Sequence, residues 1–143
     1  MNKVSSTKIF GASQVVEKYF QLEELEDKDT STTELFLCWD GVVQVGETDG
    51  PQPIAATGTW EVIDNNTFKM KVTRTFEAGK KSNDSTDVGE FSFDVVRSFT
   101  GETTFVGNAA AITGSMHVVD DLGDAEVGYF NMIDTTDERI PLE

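Results

Sequence analysis

Two arginines stand where the residue pattern calls for apolar side chains. Residues 68 to 76 read Phe-Lys-Met-Lys-Val-Thr-Arg-Thr-Phe, and residues 91 to 99 read Phe-Ser-Phe-Asp-Val-Val-Arg-Ser-Phe. Alternate positions match between the two: Phe, then Met or Phe, Val, Arg, Phe. In a strand those positions share one face, so each segment has a dry face carrying one arginine, Arg74 or Arg97. A guanidinium among apolar neighbours can hold a carboxylate or phosphate through paired hydrogen bonds. It can equally snorkel out at a strand end or pair with an inward acid such as Glu61. A symmetric loop between the segments sets Phe76 against Phe91, Arg74 against Phe93 and Arg97 against Met70. The two arginines are then about 13 Å apart along the ladder, too far to clamp one small anion.

Trp60, Phe93 and Tyr129 complete the candidate ligand-binding set with Arg74 and Arg97. Such rings line pockets, and by default they pack cores. His117 is the single histidine, which excludes a histidine-rich metal site, and no nucleophile motif accompanies it. Cys38 lies in an apolar stretch beside Trp39 and reads as a small hydrophobe. The acidic run from Asp120 to Glu126 offers hard oxygens, but its spacing is not that of a helix-loop-helix calcium loop. No glycine loop of the phosphate-cradling kind is present. The expectation is a protein without catalytic residues, metal or cofactor.

Composition bounds the partners. Against 11 basic side chains stand 26 acidic ones, a formal charge of -15. That field repels nucleic-acid phosphates and anionic lipid, and suits a protein partner with a basic surface. No apolar run is long enough to span a bilayer as a helix. A single cysteine cannot form an internal disulfide, which points to an intracellular, reducing compartment.

The length of 143 residues suits a single domain, 1–143. Residues 1–12 read as an arm. Ser13 could cap a helix over 13–26, since Val15, Val16, Tyr19, Phe20 and Leu22 recur at helical spacing. A polar connection follows, and the period then changes to two. The stretch 33–133 reads as seven or eight short strands. Asp40-Gly41 is a hairpin signal, 46–57 and 77–88 read as loops, Gly101-Glu102 as a turn, and 134–143 as a polar tail. With no helical pattern between strands, the chain reads as mainly β, a single antiparallel up-and-down barrel behind an N-terminal helix.

Three resemblances extend this reading. Gly58-Thr59-Trp60 resembles the Gly-x-Trp of lipocalins and implies a calycin-like barrel with a ligand pocket. Segments Gly89–Phe93, Ser98–Glu102 and Glu126–Thr136 resemble small plastid proteins of diatoms and related algae, among them peripheral, pigment-free photosystem I proteins. That likeness covers roughly residues 33 to 139. It implies a non-enzymatic assembly role in the plastid stroma. Val15–Phe20 followed by Asp40–Val43 resembles the opening of nuclear-transport-factor-like proteins and implies the alternative α+β cone fold. Glu61, Asp94 or His117 would then serve as the base of a small isomerase or dehydratase. The leading expectation is an acidic interaction or assembly subunit of a larger complex. The alternatives are a carrier of a small hydrophobic or anionic ligand and the cone-type enzyme.

Overall fold

The computed structural model describes residues 14–64, 66–78 and 91–139. The expected arm, the 79–90 part of the polar excursion and the last four residues lie outside the described residues. Eight strands follow one another: β1 (Lys18–Glu26), β2 (Asp29–Leu37), β3 (Val42–Thr48), β4 (Ala55–Ile63), β5 (Thr67–Ala78), β6 (Phe91–Val106), β7 (Ala109–Asp120) and β8 (Gly123–Asp134). Each pairs with the next, and β8 returns to β1, so the sheet is a closed antiparallel up-and-down barrel. This closed topology excludes the cone fold, whose open sheet must be covered by helices. Closure leaves no edge to template aggregation.

The predicted helix over 13–26 is absent. Val15 to Glu17 form a turn, and β1 begins at Lys18. Phe20, Leu22 and Glu24 face inward at every second residue. The inward glutamates break the apolar alternation, and this is why the segment looked helical in sequence. The polar connection expected after it is a tight hairpin. Asp27 and Lys28 have φ of 55° and 76°, the two positive angles of a type I′ turn. The Asp40-Gly41 hairpin forms as expected, with Gly41 at φ 87°.

Gly101-Glu102 is not a turn. β6 runs straight through it, and Gly101 pairs with Gly114 of β7. A Cβ on Gly114 would run into the Thr100 carbonyl, and one on Gly101 into the Thr113 carbonyl. The two backbones approach closely there, and Phe130, which pairs with Gly114 from the other side, has its ring beside Gly101. Its ring meets Phe99 edge-on at 5.1 Å. The expected polar tail is ordered at its start, with β8 reaching Asp134 and a short 3-10 turn spanning Thr136–Arg139.

Every strand contributes to the core. Phe20, Leu22, Leu35, Leu37, Val43, Trp60, Phe68, Met70, Val72, Phe99, Ile112, Met116, Phe130 and Met132 are buried inside the barrel. Along β5 the inward positions run Phe68, Met70 and Val72, then Arg74 and Phe76. The barrel is therefore packed through its middle and changes character toward one end. At that end lie the β1–β2 turn, the β3–β4 loop and the β7–β8 turn.

Candidate functional site

The polar end of the lumen is built by β1, β2, β3, β5 and β6. Past Leu22 the inward residues of β1 are Glu24 and Glu26. Neither β5 nor β6 is a neighbour of β1 in the sheet, so contacts between them cross the lumen. Arg74 Nη2 and Nη1 donate to Glu24 Oε1 and Oε2 at 2.9 and 3.2 Å. Arg97 Nε and Nη2 donate to Glu26 Oε1 and Oε2 at 2.9 and 2.8 Å. Both are fork-on-fork pairs, the strongest geometry available to guanidinium and carboxylate. Arg97 also donates from Nη1 to the Val96 carbonyl at 3.1 Å. Its pKa is pushed up, chiefly by the hydrogen bond to Glu26 and further by the Glu26 and Glu24 charges, against the opposing effect of burial.

The pairs differ in depth. The Arg74 and Glu24 side chains are 15% and 7% exposed, against 21% and 29% for Arg97 and Glu26. Beside them Ser31 Oγ donates to Glu24 Oε1 at 3.5 Å, and Thr33 Oγ1 donates to Thr48 Oγ1 at 2.9 Å. Two cations and two anions make this layer neutral in an otherwise acidic molecule. Beyond it Phe76 and Phe93 meet with ring centroids 5.9 Å apart, and Phe91 lies 6.4 Å from Phe93. Phe91 and Phe93 are 57% and 43% exposed. The result is a mouth with a charged, internally neutralised floor and an aromatic rim.

The register predicted for the matching strands is wrong by two residues. Phe76 faces Phe93, Arg74 faces Val95, Val72 faces Arg97 and Met70 faces Phe99. The symmetric-loop assumption failed because the connection is not centred between the two segments. Arg74 and Arg97 are therefore diagonal neighbours on one face, about 7–8 Å apart rather than 13 Å. The separation that argued against a shared site disappears. Glu24 and Glu26 now occupy the guanidiniums instead. Neither acid was foreseen as a partner, and Glu61, which was, lies on the outer wall.

Of the five predicted ligand-binding residues, Arg74, Arg97 and Phe93 meet at the mouth. Trp60 does not: it is a core side chain that donates from Nε1 to the Cys38 carbonyl at 2.9 Å and stacks on Phe68. Tyr129 is on the outer wall, 59% exposed, its hydroxyl pKa raised first by a hydrogen bond to Glu126. Cys38 sits in the β2–β3 turn, where burial first, then the Asp40 and Glu17 charges, push its thiol pKa up. A raised thiol is a poor nucleophile. His117 is on the outer wall between Ser115 and Asp124, hydrogen-bonded to both. Among the described residues no group of three or more His, Cys, Asp or Glu side chains is placed to hold a metal ion. Nor is any described helix long and apolar enough to cross a membrane.

No protein-family model matches the chain, and no curated protein is similar to it in sequence. Among solved structures it is similar to the crystal structure of rhizavidin, at 14% identity and a TM-score of 0.46, over 96% of this chain and 93% of that one. At that level the likeness adds nothing to the closed eight-stranded topology that this chain shows by itself.

Proposed function

We propose that the protein is a binding barrel that carries a small amphipathic molecule at its mouth. The observation that carries this reading is the layer of Glu24, Arg74, Glu26 and Arg97 inside the lumen beneath exposed Phe91 and Phe93. Buried ion pairs are a costly way to fill a barrel, because desolvation offsets most of their attraction. An apolar layer would serve stability as well. A binding floor is a use that an apolar layer cannot fill. Because the middle of the barrel is packed, the ligand seat is shallow. Because the floor is neutral and both donates and accepts hydrogen bonds, it suits an uncharged polar head. The Phe76, Phe91 and Phe93 rings suit an apolar body. Native mass spectrometry of freshly purified protein tests this. Co-purifying mass that is lost on Phe93→Ala substitution supports the reading, and a bare polypeptide mass under ligand-retaining conditions opposes it.

A second reading rests on the surface. The chain carries a formal charge of -15, and Trp39 and Leu122 project from hairpin turns at 77% and 95% exposure. The two turns lie at opposite ends of the barrel, and the acidic surface around Trp39 fits a basic protein partner with that ring as its apolar anchor. In this reading the barrel is an assembly subunit, and the algal resemblance names a stromal photosynthetic complex as the partner to try first. A complex recovered at low ionic strength and lost on Trp39→Ser substitution supports it. A protein that stays monomeric at low salt beside purified photosystem I contradicts that choice of partner.

A further inference from the structure

The outer wall holds a hydrogen-bonded series that the mouth does not use. Ser115 and His117 are alternate residues of β7 and face outward, away from Gly114 and Met116. Ser115 Oγ lies 2.8 Å from His117 Nε2, and His117 Nδ1 lies 2.8 Å from Asp124 Oδ1 on β8. An ionised carboxylate only accepts hydrogen bonds, so in the neutral imidazole the proton sits on Nδ1. Nε2 is then the acceptor and receives the Ser115 hydroxyl proton. That is the arrangement of a nucleophile, a base and a group that orients the base.

Two further features point to a site rather than a chance surface network. The β7–β8 register shifts between Met116 and His117, and such bulges re-aim side chains. The three residues also open onto a groove of about 630 Å³ that runs over β4 to β8. Its floor is ordered by the ladder. Ser115 pairs with Thr100, which pairs with Lys69 on its other side, and His117 pairs with Ser98, which pairs with Lys71. The groove thus also holds Lys69 and Lys71, two strands away on β5, together with Glu61 on β4.

We propose that Ser115 is a nucleophile, activated by His117 and oriented through Asp124, that accepts the acyl group of small esters bound in this groove. Ser115 Oγ attacks the ester carbonyl carbon and its proton passes to His117 Nε2. The bond from carbon to the leaving oxygen breaks, and that oxygen takes the proton from Nε2. The acyl group remains on Oγ. Water then adds to the same carbon, giving its proton to Nε2, and the bond to Oγ breaks. Ser115 recovers the proton and a carboxylic acid leaves. The backbone N–H groups flanking Ser115 serve the β6–β7–β8 ladder, so no backbone pair is free to hold the oxyanion. In this proposal Lys69 and Lys71, which line the same groove, supply the positive charge for the oxyanion. Without fixed N–H donors both acylation and deacylation are slow.

The inference stands independently of the mouth. The test uses a fluorophosphonate, in which the Oγ–P bond forms, P–F breaks, fluoride leaves and the proton goes to His117. Intact mass and peptide mapping follow the folded chain, the chain unfolded in urea, and the Ser115→Ala and His117→Gln variants. The expected result is one adduct, on Ser115. It forms roughly 100-fold faster than in His117→Gln, the lower end of what a positioned base contributes. It is absent from Ser115→Ala and from the unfolded chain. No adduct, an adduct on another residue, or equal rates in wild type and His117→Gln would overturn the proposal. Circular dichroism of each variant establishes that the barrel is intact, and because both side chains lie on the outer wall the core does not depend on them.

Discussion

Arg74 and Arg97 lie on the same face of adjacent strands, one ladder step apart on the diagonal, and each is forked onto a glutamate of β1 across the lumen. Removing one partner leaves a buried charge unpaired, while removing both leaves none. Arg74→Met is therefore expected to cost about 3–5 kcal/mol, because Glu24 is only 7% exposed. The double variant Glu24→Leu/Arg74→Met should recover most of that loss. Urea unfolding of the two singles and the double measures it. A single variant as stable as wild type would show that the pair is not held in the folded protein.

The Arg97–Glu26 pair is more open to water, and the same substitution there should cost less. Arg97→Met is expected to lose about 1 kcal/mol, a figure reduced for solvent screening. The loss caused by Arg97→Met should also shrink more with added salt than the loss caused by Arg74→Met. Urea midpoints at low and high sodium chloride make the comparison.

Gly101 and Gly114 face each other where β6 and β7 come closest. Gly114→Ala places a methyl against the Thr100 carbonyl, so backbone must move. The expected loss is about 1–3 kcal/mol or more. Gly107→Ala, in the open β6–β7 turn, meets no neighbouring atom, and its cost comes from the positive φ of 65°. Thermal melts of both variants separate steric overlap from backbone strain.

Thr103 is 6% exposed, and its hydroxyl has no hydrogen-bond partner among the described residues. A buried orphan hydroxyl is a standing cost. Thr103→Val keeps the shape and removes the orphan, so it should raise stability by about 1 kcal/mol, read as an upward shift in unfolding midpoint. A lower midpoint would mean that the hydroxyl is satisfied in solution.

Cys38 has its thiol pKa raised in the fold. The folded chain then holds its thiol proton to higher pH than the unfolded chain. The associated stability is present below the unfolded thiol pKa and is lost as pH rises through the folded one. Alkylation by iodoacetamide at pH 8 should be several-fold slower in the folded protein than in urea, since only the thiolate reacts. The gap should close as the pH climbs past the folded pKa.

The barrel itself was legible in the chain. Alternation from Leu35 onward, the Asp40-Gly41 turn and the paired 68–76 and 91–99 segments are strand signals that packing did not override. The first strand was not legible. Glu24 and Glu26 occupy inward positions, which makes a half-polar strand look like one face of a helix. Their presence on the dry side has a reason only after Arg74 and Arg97 are placed opposite. The same blindness hid the register: a slip of two keeps every side chain on its own face, so no pattern of polarity reports it. Trp60 and Tyr129 were drawn into the site by residue type alone, and neither reaches the mouth. Ser115 carried no sequence signal, since its link to His117 depends on two outward side chains of one strand meeting an acid from the next.

The central claim is that the rim of Phe91 and Phe93 over the neutral ion-pair floor binds an uncharged amphipathic molecule. Fluorescence titration with a neutral dye, aminoanthracene, tests it most directly, with anilinonaphthalene sulfonate as the anionic counterpart of similar size. The account predicts saturable one-to-one binding of the neutral dye, weaker binding of the anionic one, and loss of at least about tenfold in affinity in Phe93→Ala, equivalent to ~1.4 kcal/mol. No saturable binding, or binding that Phe93→Ala leaves unchanged, would contradict it.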